Sequence, residues 1–428
     1  MSFQRDSFQV LAFRIAALAA QSLAGLFVAR LLGPEGQGEY ALLLLIPGIG
    51  SQAFMFGMNV SNAWFVSRSM ISRQLALSHS LYFSLLVGIV VLSLGVFFQD
   101  AFFDFSEPRH VAIMLAVIPL ILFFKNLLGV LQGDQVFGAF GLLQFIRPAL
   151  FGIFLLALFL FDSIQIESVV LIFLASHAFT LIFAFFNAMD GRVTLKFDFS
   201  LVKKQFRFAW KSYLAGTFAF LFYRIDLVFI GYFLDQKSVG YYAIIMLISE
   251  SLLMLASSVG EVLFPTAARR PEEAPALVAR VTRSVLAMTF LISAGLAIFA
   301  EQIVFYIFGP DYLPAVLALR IACFSILARA GTKIIANYIL SVGKPGLNAM
   351  IAFVGLLLNA VLDILFIPGF DLVGAAMAAG ASAFVMLCIK IIWLRKRTNC
   401  PLYLILVPQK TDFAFLTSEP GKQGCRRR

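Results

Sequence analysis

The sequence predicts an all-α, polytopic membrane protein with twelve transmembrane helices arranged as two six-helix bundles. Its composition, the spacing of its apolar windows and an internal repeat lead to this fold class. Of the 428 residues, 61% are hydrophobic and 13% are charged, and the mean hydropathy is +0.93. A chain of this composition has too little polar surface for a water-soluble globule, so we expect it to lie in a bilayer.

Twelve apolar windows are each long enough to cross about 30 Å of hydrocarbon. They lie at about residues 9–32, 39–66, 77–98, 110–131, 136–161, 166–188, 206–234, 239–264, 281–308, 313–341, 346–367 and 372–394. The first window resembles a secretory signal peptide, but Arg14 lies inside it and the window continues to Leu32. We therefore expect this window to span the membrane rather than to be cleaved.

The two halves of the chain share a sequence pattern. Within residues 223–249, the pattern of residues 26–46 recurs at an offset of 202 positions, with Tyr242 aligned on Tyr40. An even number of helices in each half lets both halves enter the membrane from the same side, and parallel repeats of this kind build transporters. The predicted organisation is an N-terminal bundle over 1–189, a cytoplasmic linker over 190–204, a C-terminal bundle over 205–397 and a cytoplasmic tail over 398–428.

Basic residues are concentrated in alternate connections between the windows. The basic connections hold Arg68, Arg73, Arg192, Lys196, Lys203, Lys204, Arg269, Arg270, Arg280, Lys344, Arg395, Lys396 and Arg397. The opposite connections hold little more than Arg109 and Lys237 among several acids. This asymmetry predicts that both termini are cytoplasmic, and it accounts for the net charge of +10 without a nucleic acid partner.

The cysteines and histidines are scattered along the chain. The four cysteines and three histidines share no metal-ligand or redox spacing, and no Ser/His/Asp set or Gly-rich phosphate loop is visible. We therefore expect no metal site, no bound cofactor and no enzyme. A membrane polysaccharide polymerase or ligase is the less favoured alternative, because every outer connection is short.

Ionisable residues near the middle of the windows are candidate functional residues, because a charge at the bilayer centre costs about 2.5 to 3.5 kcal/mol on insertion scales. The cations are Arg14, Lys125, Arg147, Arg224, Arg320, Arg329 and Lys333, and the acids are Asp226, Glu250 and Glu261. The cations outnumber the acids, so some positive charge must face water or an anionic ligand. The alternative for each residue is an interhelical salt bridge or snorkelling to the interface.

Helical spacing indicates which of these charges can meet. At about 100° per residue, Arg224 and Asp226 point to nearly opposite sides of one helix, whereas Arg329 and Lys333 share a face. Arg224 and Glu250 lie at similar depth in consecutive windows, so an ion pair between them is expected to be feasible.

The second window carries two further features of interest, a group of helix-weakening residues and a pair of asparagines. Pro47, Gly48 and Gly50 weaken backbone hydrogen bonding near its middle, which predicts a kink or hinge. Asn59 and Asn62 could contact a sugar or could equally form hydrogen bonds between helices. The sequence leaves both roles open.

Two segments resemble a known family. ARLLGPEGQGEYA at 29–41 and YRIDLVFIGYFLDQKSVGYYA at 223–243 resemble the polysaccharide-exporting branch of the multidrug/oligosaccharidyl-lipid/polysaccharide flippase superfamily. The resemblance implies two bundles in a V around a central cavity that alternates its access between the leaflets. It also implies a polyprenyl-pyrophosphate-linked oligosaccharide as substrate, the cytoplasmic (inner) membrane as location, and other polysaccharide assembly proteins as candidate partners.

The implied substrate agrees with the surplus of cations. A pyrophosphate needs charge-assisted hydrogen bonds from Arg or Lys when it leaves water. On depth and charge, the candidate substrate-binding residues are Arg14, Lys125, Arg147, Arg224, Arg329 and Lys333. The alternative transporter is an ion-coupled multidrug or small-solute antiporter with Asp226 or Glu250 as the proton or sodium site.

Overall fold

The structure, a computed structural model, describes residues 3–97, 105–161, 165–187, 196–269, 272–398, 401 and 409. Within these residues the chain is helical and contains no β-strand, which confirms the all-α class. Contacts divide it into two compact units, Met1–Thr217 and Phe218–Arg428. Of the predicted linker, residues 190–195 lie outside the described part of the chain, and residues 199–204 begin a helix.

The described residues of unit 1 form six helices and most of a seventh. They are α1 (Phe3–Phe54), α2 (Met58–Ser67), α3 (Arg73–Phe97), α4 (Pro108–Gly133), α5 (Phe137–Leu160), α6 (Ile166–Asn187) and α7 (Phe199–Phe222). Helix α4 is central, because α1, α2, α3 and α6 all pack against it. Its core residues, such as Met114 and Leu122, are fully buried among apolar side chains from α1, α3 and α6.

Helix α1 covers the first predicted window and part of the second. The helix is interrupted at Gly33, which has φ 67°, a left-handed conformation that glycine adopts without steric penalty. The second window does not form one helix as predicted, since α1 ends at Phe54 and α2 starts only at Met58. Pro47, Gly48 and Gly50 all keep helical backbone angles within α1. The hinge at these residues therefore stays a prediction.

Unit 2 contains the remaining helices. They are α8 (Ile225–Phe233), α9 (Gln236–Arg269), α10 (Ala274–Ile298), α11 (Ala300–Ile307), a 3₁₀ turn (Pro310–Ala315), α12 (Val316–Ser341) and α13 (Pro345–Thr398). Helix α12 is central and packs against α9, α10 and α13. Two predicted windows, 206–234 and 281–308, are each broken into two helices, at Tyr223–Arg224 and at Phe299. The last two windows, 346–367 and 372–394, are merged in α13, where the backbone is non-helical at Asp371.

Ten helices in the described part of the chain are long and apolar enough to cross a membrane, so the protein is a multi-pass membrane protein. Two of the ten, Ala12–Phe54 and Pro345–Thr398, have 43 and 54 residues, and they contain the interruptions at Gly33 and Asp371. One crossing takes about 20 residues, so each of these is long enough for two crossings. The total of twelve crossings and the cytoplasmic termini remain predictions.

Candidate functional site

A helix break lies at the start of unit 2, between α7 and α8. The Tyr223 and Arg224 amides donate to the carbonyls of Phe220 and Leu221 at 3.1 and 2.9 Å, so α7 tightens into a 3₁₀-like turn and ends. Helix α8 then starts at Ile225 with the unpaired N–H groups and partial positive charge of a helix N-terminus. Transporters use such discontinuous helices to bind substrates and ions.

Asp226 lies in the first turn of α8 and is 1% exposed. Its Oδ2 accepts a hydrogen bond of 2.7 Å from the Tyr242 hydroxyl, and its Oδ1 accepts one from Asn359 Nδ2. Arg329 Nη2 lies 3.9 Å from the same Oδ2. Two neutral donors and one cation therefore surround a carboxylate that would otherwise be costly to bury.

Asp363 makes this a site with two acids. Its side chain is fully buried, and Asn359 Nδ2 donates to its Oδ2 at 2.9 Å, while its Oδ1 has no hydrogen-bond partner in the described residues. With both carboxyls ionised, two negative charges face the single guanidinium of Arg329. Such a pair favours binding of a proton or a small cation, because two close carboxylates do not readily both stay charged.

Arg329 and Lys333 lie on one face of α12, as predicted. The guanidinium carbon of Arg329 lies 5.2 Å from the ring centroid of Tyr223 and 5.5 Å from that of Phe222. Lys333 Nζ lies 5.8 Å from the same Tyr223 ring and donates to Ser257 Oγ at 2.6 Å. Both cations are therefore placed at the helix break by an aromatic face.

The predicted pair of Arg224 and Glu250 is also present. Arg224 Nη2 lies 2.9 Å from Glu250 Oε1, and the side chains are 33% and 44% exposed. Both charged groups are therefore only partly covered by the protein. Arg224 does not pair with Asp226, which the helical geometry also predicted.

Three members of this cluster, Asp363, Asn359 and Tyr242, were not predicted from the sequence. The count of three mid-window acids was wrong, because Asp363 is a fourth acid, within the window 346–367, and it is buried. The signal was available: Asn359 and Asp363 are four residues apart in an apolar run and therefore share one helix face. A buried cation was missed too, since Lys390 is 5% exposed and donates to the Thr332 carbonyl at 3.2 Å.

A second cluster of cations lies in unit 1. Arg147 on α5 interacts electrostatically with Lys125 on α4, His177 on α6 and Tyr40 on α1. Lys125 Nζ lies 3.5 Å from Ser51 Oγ, and within the described residues neither Arg147 nor Lys125 forms an ion pair with an acid. We call Arg147 and Lys125 the unit 1 cation pair. Two like charges in an apolar bundle repel each other unless an anion joins them.

The other predicted residues have different surroundings. Asn62 is fully buried, donates to Ser80 Oγ at 2.9 Å and accepts from Gln205 Nε2 at 2.9 Å, which favours its interhelical role over a sugar contact. Asn59 and Arg14 are half-buried. The side chain of Glu261 lies outside the described part of the chain.

The structure brings together a Ser/His/Glu set that was not visible in the sequence. Ser106 Oγ donates to Glu39 Oε1 at 2.6 Å and lies 3.2 Å from His110 Nδ1. The serine proton thus points to the carboxylate, whereas a nucleophilic serine would give it to the histidine. His110 is also buried. The set ties α1 to the start of α4 and has no geometry for catalysis, and the described residues hold no group of three or more metal ligands.

Comparisons with known proteins agree on a family and a fold. A family model described as polysaccharide biosynthesis protein matches residues 27–317. Agl15 of Haloferax volcanii, a probable low-salt glycan biosynthesis flippase, is 24% identical over 396 residues, which cover 89% of this chain and 81% of that protein.

Two solved structures extend the comparison. The lipid II flippase MurJ, in an inward closed conformation, has a TM-score of 0.75 at 16% identity and covers 92% of this chain and 89% of its own. An inward-facing multidrug resistance MATE family transporter of the MOP superfamily has a TM-score of 0.73 at 17% identity, with coverages of 89% and 94%. At these identities the two structures show the fold alone.

Proposed function

Because the chain belongs to the polysaccharide biosynthesis protein family, whose model matches residues 27–317, we propose that it flips a lipid-linked oligosaccharide across the cytoplasmic membrane. The proposed substrate is an oligosaccharide joined through pyrophosphate to a polyprenyl lipid, and the proposed mechanism is alternating access. Agl15 is described as a probable glycan biosynthesis flippase and MurJ as a lipid II flippase. Neither is described as an enzyme, in line with the expectation of a transporter.

The observation that carries this proposal is the unit 1 cation pair, Arg147 and Lys125, which has no acidic partner among the described residues. Two uncompensated cations inside an apolar bundle are unfavourable on their own, because ions lose hydration there. A pyrophosphate would supply the missing negative charge and accept hydrogen bonds from both side chains. A transporter for organic cations would instead require acids at this position.

The buried acids of unit 2 support a proposal about the driving force. We assign the binding of a proton or a sodium ion to Asp226 and Asp363, with Asn359 holding the two carboxyls together. The unpartnered, fully buried Oδ1 of Asp363 supports this assignment, because a buried carboxylate oxygen without a donor is expected to take a proton or a cation.

The same two acids favour a second candidate function, an ion-coupled antiporter for a small solute or drug. Transport assays in proteoliposomes separate the two functions. A flippase moves a polyprenyl-pyrophosphate-linked oligosaccharide between leaflets and leaves an organic cation such as ethidium where it is. Export of ethidium with no movement of the lipid-linked sugar would replace the first proposal by the second.

A further inference from the structure

Arg329 is held unusually loosely for a buried arginine. The residue is 6% exposed, yet its guanidinium forms no hydrogen bond with the described residues, and its Nε is buried without a partner. The 3.9 Å separation from Asp226 Oδ2 is an ion pair beyond hydrogen-bond distance. A guanidinium has five N–H donors, and leaving them unused in the interior is unfavourable. Asp226 is therefore not the partner for which Arg329 is best placed.

Asp226 in turn does not depend on Arg329. Tyr242 and Asn359 both donate to its carboxylate, so each of its two oxygens accepts a hydrogen bond without the guanidinium. What attracts Arg329 to Asp226 is net negative charge. Once the Asp226–Asp363 pair is neutralised, that attraction falls while the two neutral donors stay in place.

Arg329 also contacts the helix break through Tyr223. The guanidinium lies against the Tyr223 ring, on whose face Lys333 also lies, and Tyr223 and Lys333 are half-buried where Arg329 is buried. An anionic group at this ring would meet Arg329 and Lys333 together, close to the N-terminus of α8. Cation–π contact with the Tyr223 ring stabilises the guanidinium while it moves from one partner to the other.

We infer that Arg329 couples the cation to the substrate by exchanging counter-ions. When the Asp226–Asp363 pair is charged, Arg329 pairs with Asp226; when a proton or a monovalent cation neutralises that pair, Arg329 turns to a phosphate of the substrate. Cation and anion then favour each other's binding through one side chain. This inference rests on the proposed function and names the residue in unit 2 through which the bound cation and a substrate phosphate affect each other.

A double-mutant cycle with Asp226→Asn and Arg329→Gln tests the exchange without knowledge of the physiological cation. The purified protein is titrated with inorganic pyrophosphate by calorimetry. Asp226→Asn removes the negative charge and keeps an oxygen for Tyr242, at the cost of the hydrogen bond from Asn359. It should raise pyrophosphate affinity by about tenfold, a typical coupling. With Arg329→Gln also present, the same change should alter affinity by less than about twofold, because no guanidinium is released.

The control for charge alone is Arg320→Gln on the same helix. Arg320 is exposed, donates to the Ala297 carbonyl at 3.2 Å and lies 4.0 Å from Glu301, so the tenfold gain from Asp226→Asn should survive in that background. If Arg329→Gln does not insert, Arg329→Met, which preserves contact with the two rings, takes its place in the cycle.

The outcomes separate the inference from the proposed function. If the gain in pyrophosphate affinity from Asp226→Asn persists in the Arg329→Gln background, Asp226 acts through its charge alone, and the exchange is overturned. The exchange is also overturned if Asp226→Asn gives no gain in affinity in either background. Absence of pyrophosphate binding in the wild type, together with absent flipping of the lipid-linked oligosaccharide, would overturn the proposed function itself. If the wild type flips the lipid-linked oligosaccharide but the effect of Asp226→Asn does not depend on Arg329, only the exchange is overturned.

Discussion

Asp226 and Asp363, which are far apart in sequence, share one hydrogen-bond donor, the Nδ2 group of Asn359. A single amide thus holds two buried carboxyl groups together, with Arg329 as their cation. The arrangement gives unit 2 a place where charge can change without loss of hydrogen bonds. Its consequence for transport can be tested at Asp363, the acid that has no direct ion pair among the described residues.

Asp363→Asn should uncouple transport from the ion gradient. The new amide oxygen can still accept from Asn359, so the cluster keeps its hydrogen bond and loses one buried charge. In proteoliposomes, we expect flipping driven by an imposed sodium or proton gradient to fall by about tenfold or more, while slow equilibration without a gradient persists. Asp311→Asn, at an exposed position, is the control and should leave the response intact. An Asp363→Asn variant that still follows the gradient would exclude this acid from coupling.

Arg147→Gln and Lys125→Gln should move binding and stability in opposite directions. Each change removes a charge-assisted hydrogen bond worth about 1.5 to 3 kcal/mol, so inorganic pyrophosphate should bind about tenfold to a hundredfold more weakly by calorimetry. Each also removes a repulsion between two half-buried cations, so the thermal midpoint in detergent should not fall. Arg109→Gln is the matched control, because Arg109, at the start of α4, is 71% exposed and pairs with Glu167. A loss of stability equal to the loss of binding would mean that the unit 1 cations are structural.

Arg224 and Glu250 should affect anion binding with opposite signs. Since a third or more of each side chain is exposed, their ion pair is worth no more than about 1 kcal/mol. Arg224→Gln should therefore change the thermal midpoint little, and it should abolish flipping because it removes a candidate substrate-binding cation. Glu250→Gln should release Arg224 and strengthen pyrophosphate binding by up to about fivefold. Weaker binding in Glu250→Gln would show that the acid orients Arg224 rather than competing for it.

The sequence predicted the class of this fold because hydropathy and length decide whether a helix can lie in a bilayer. It predicted the Arg224–Glu250 pair because both residues lie at similar depth in consecutive helices. It missed the Asp226–Asp363 contact because no pattern shows which distant helices pack together. The role of Asn62 could not be decided for the same reason, since its partners Ser80 and Gln205 come from other helices.

The break at Tyr223 was missed on different grounds. No proline or glycine lies between Phe220 and Ile225, so local propensity gives no sign of it. The polar contacts that hold Arg224 and Asp226, to Glu250 and Tyr242, are tertiary. The interruption is therefore a property of the packed unit and not of the segment alone.

The predicted topology is tested at Lys204 and Lys344. Both residues belong to connections that carry the excess of basic residues, so reporter domains fused there should be cytoplasmic. A phosphatase reporter, which is active only outside the cytoplasm, should give no signal at either site, and a fluorescent reporter should give one at both. Fusion at Lys237, in a connection rich in acids, should show the reverse pattern. An external signal at Lys204 or Lys344 would overturn the assignment of both termini to the cytoplasm.

Gly129→Ala should destabilise unit 1, while Gly152→Ala should not. Gly129 on α4 lies against the backbone of Asn59 on α2, and a Cβ there would overlap the Asn59 carbonyl. The two helices must then separate, at about 1 to 3 kcal/mol for an overpacked contact. Gly152 on α5 has open space where its Cβ would lie, so alanine should be neutral or stabilising by up to about 1 kcal/mol. Thermal unfolding in detergent measures both; equal midpoints for the two variants would show that α2 and α4 do not depend on this close approach.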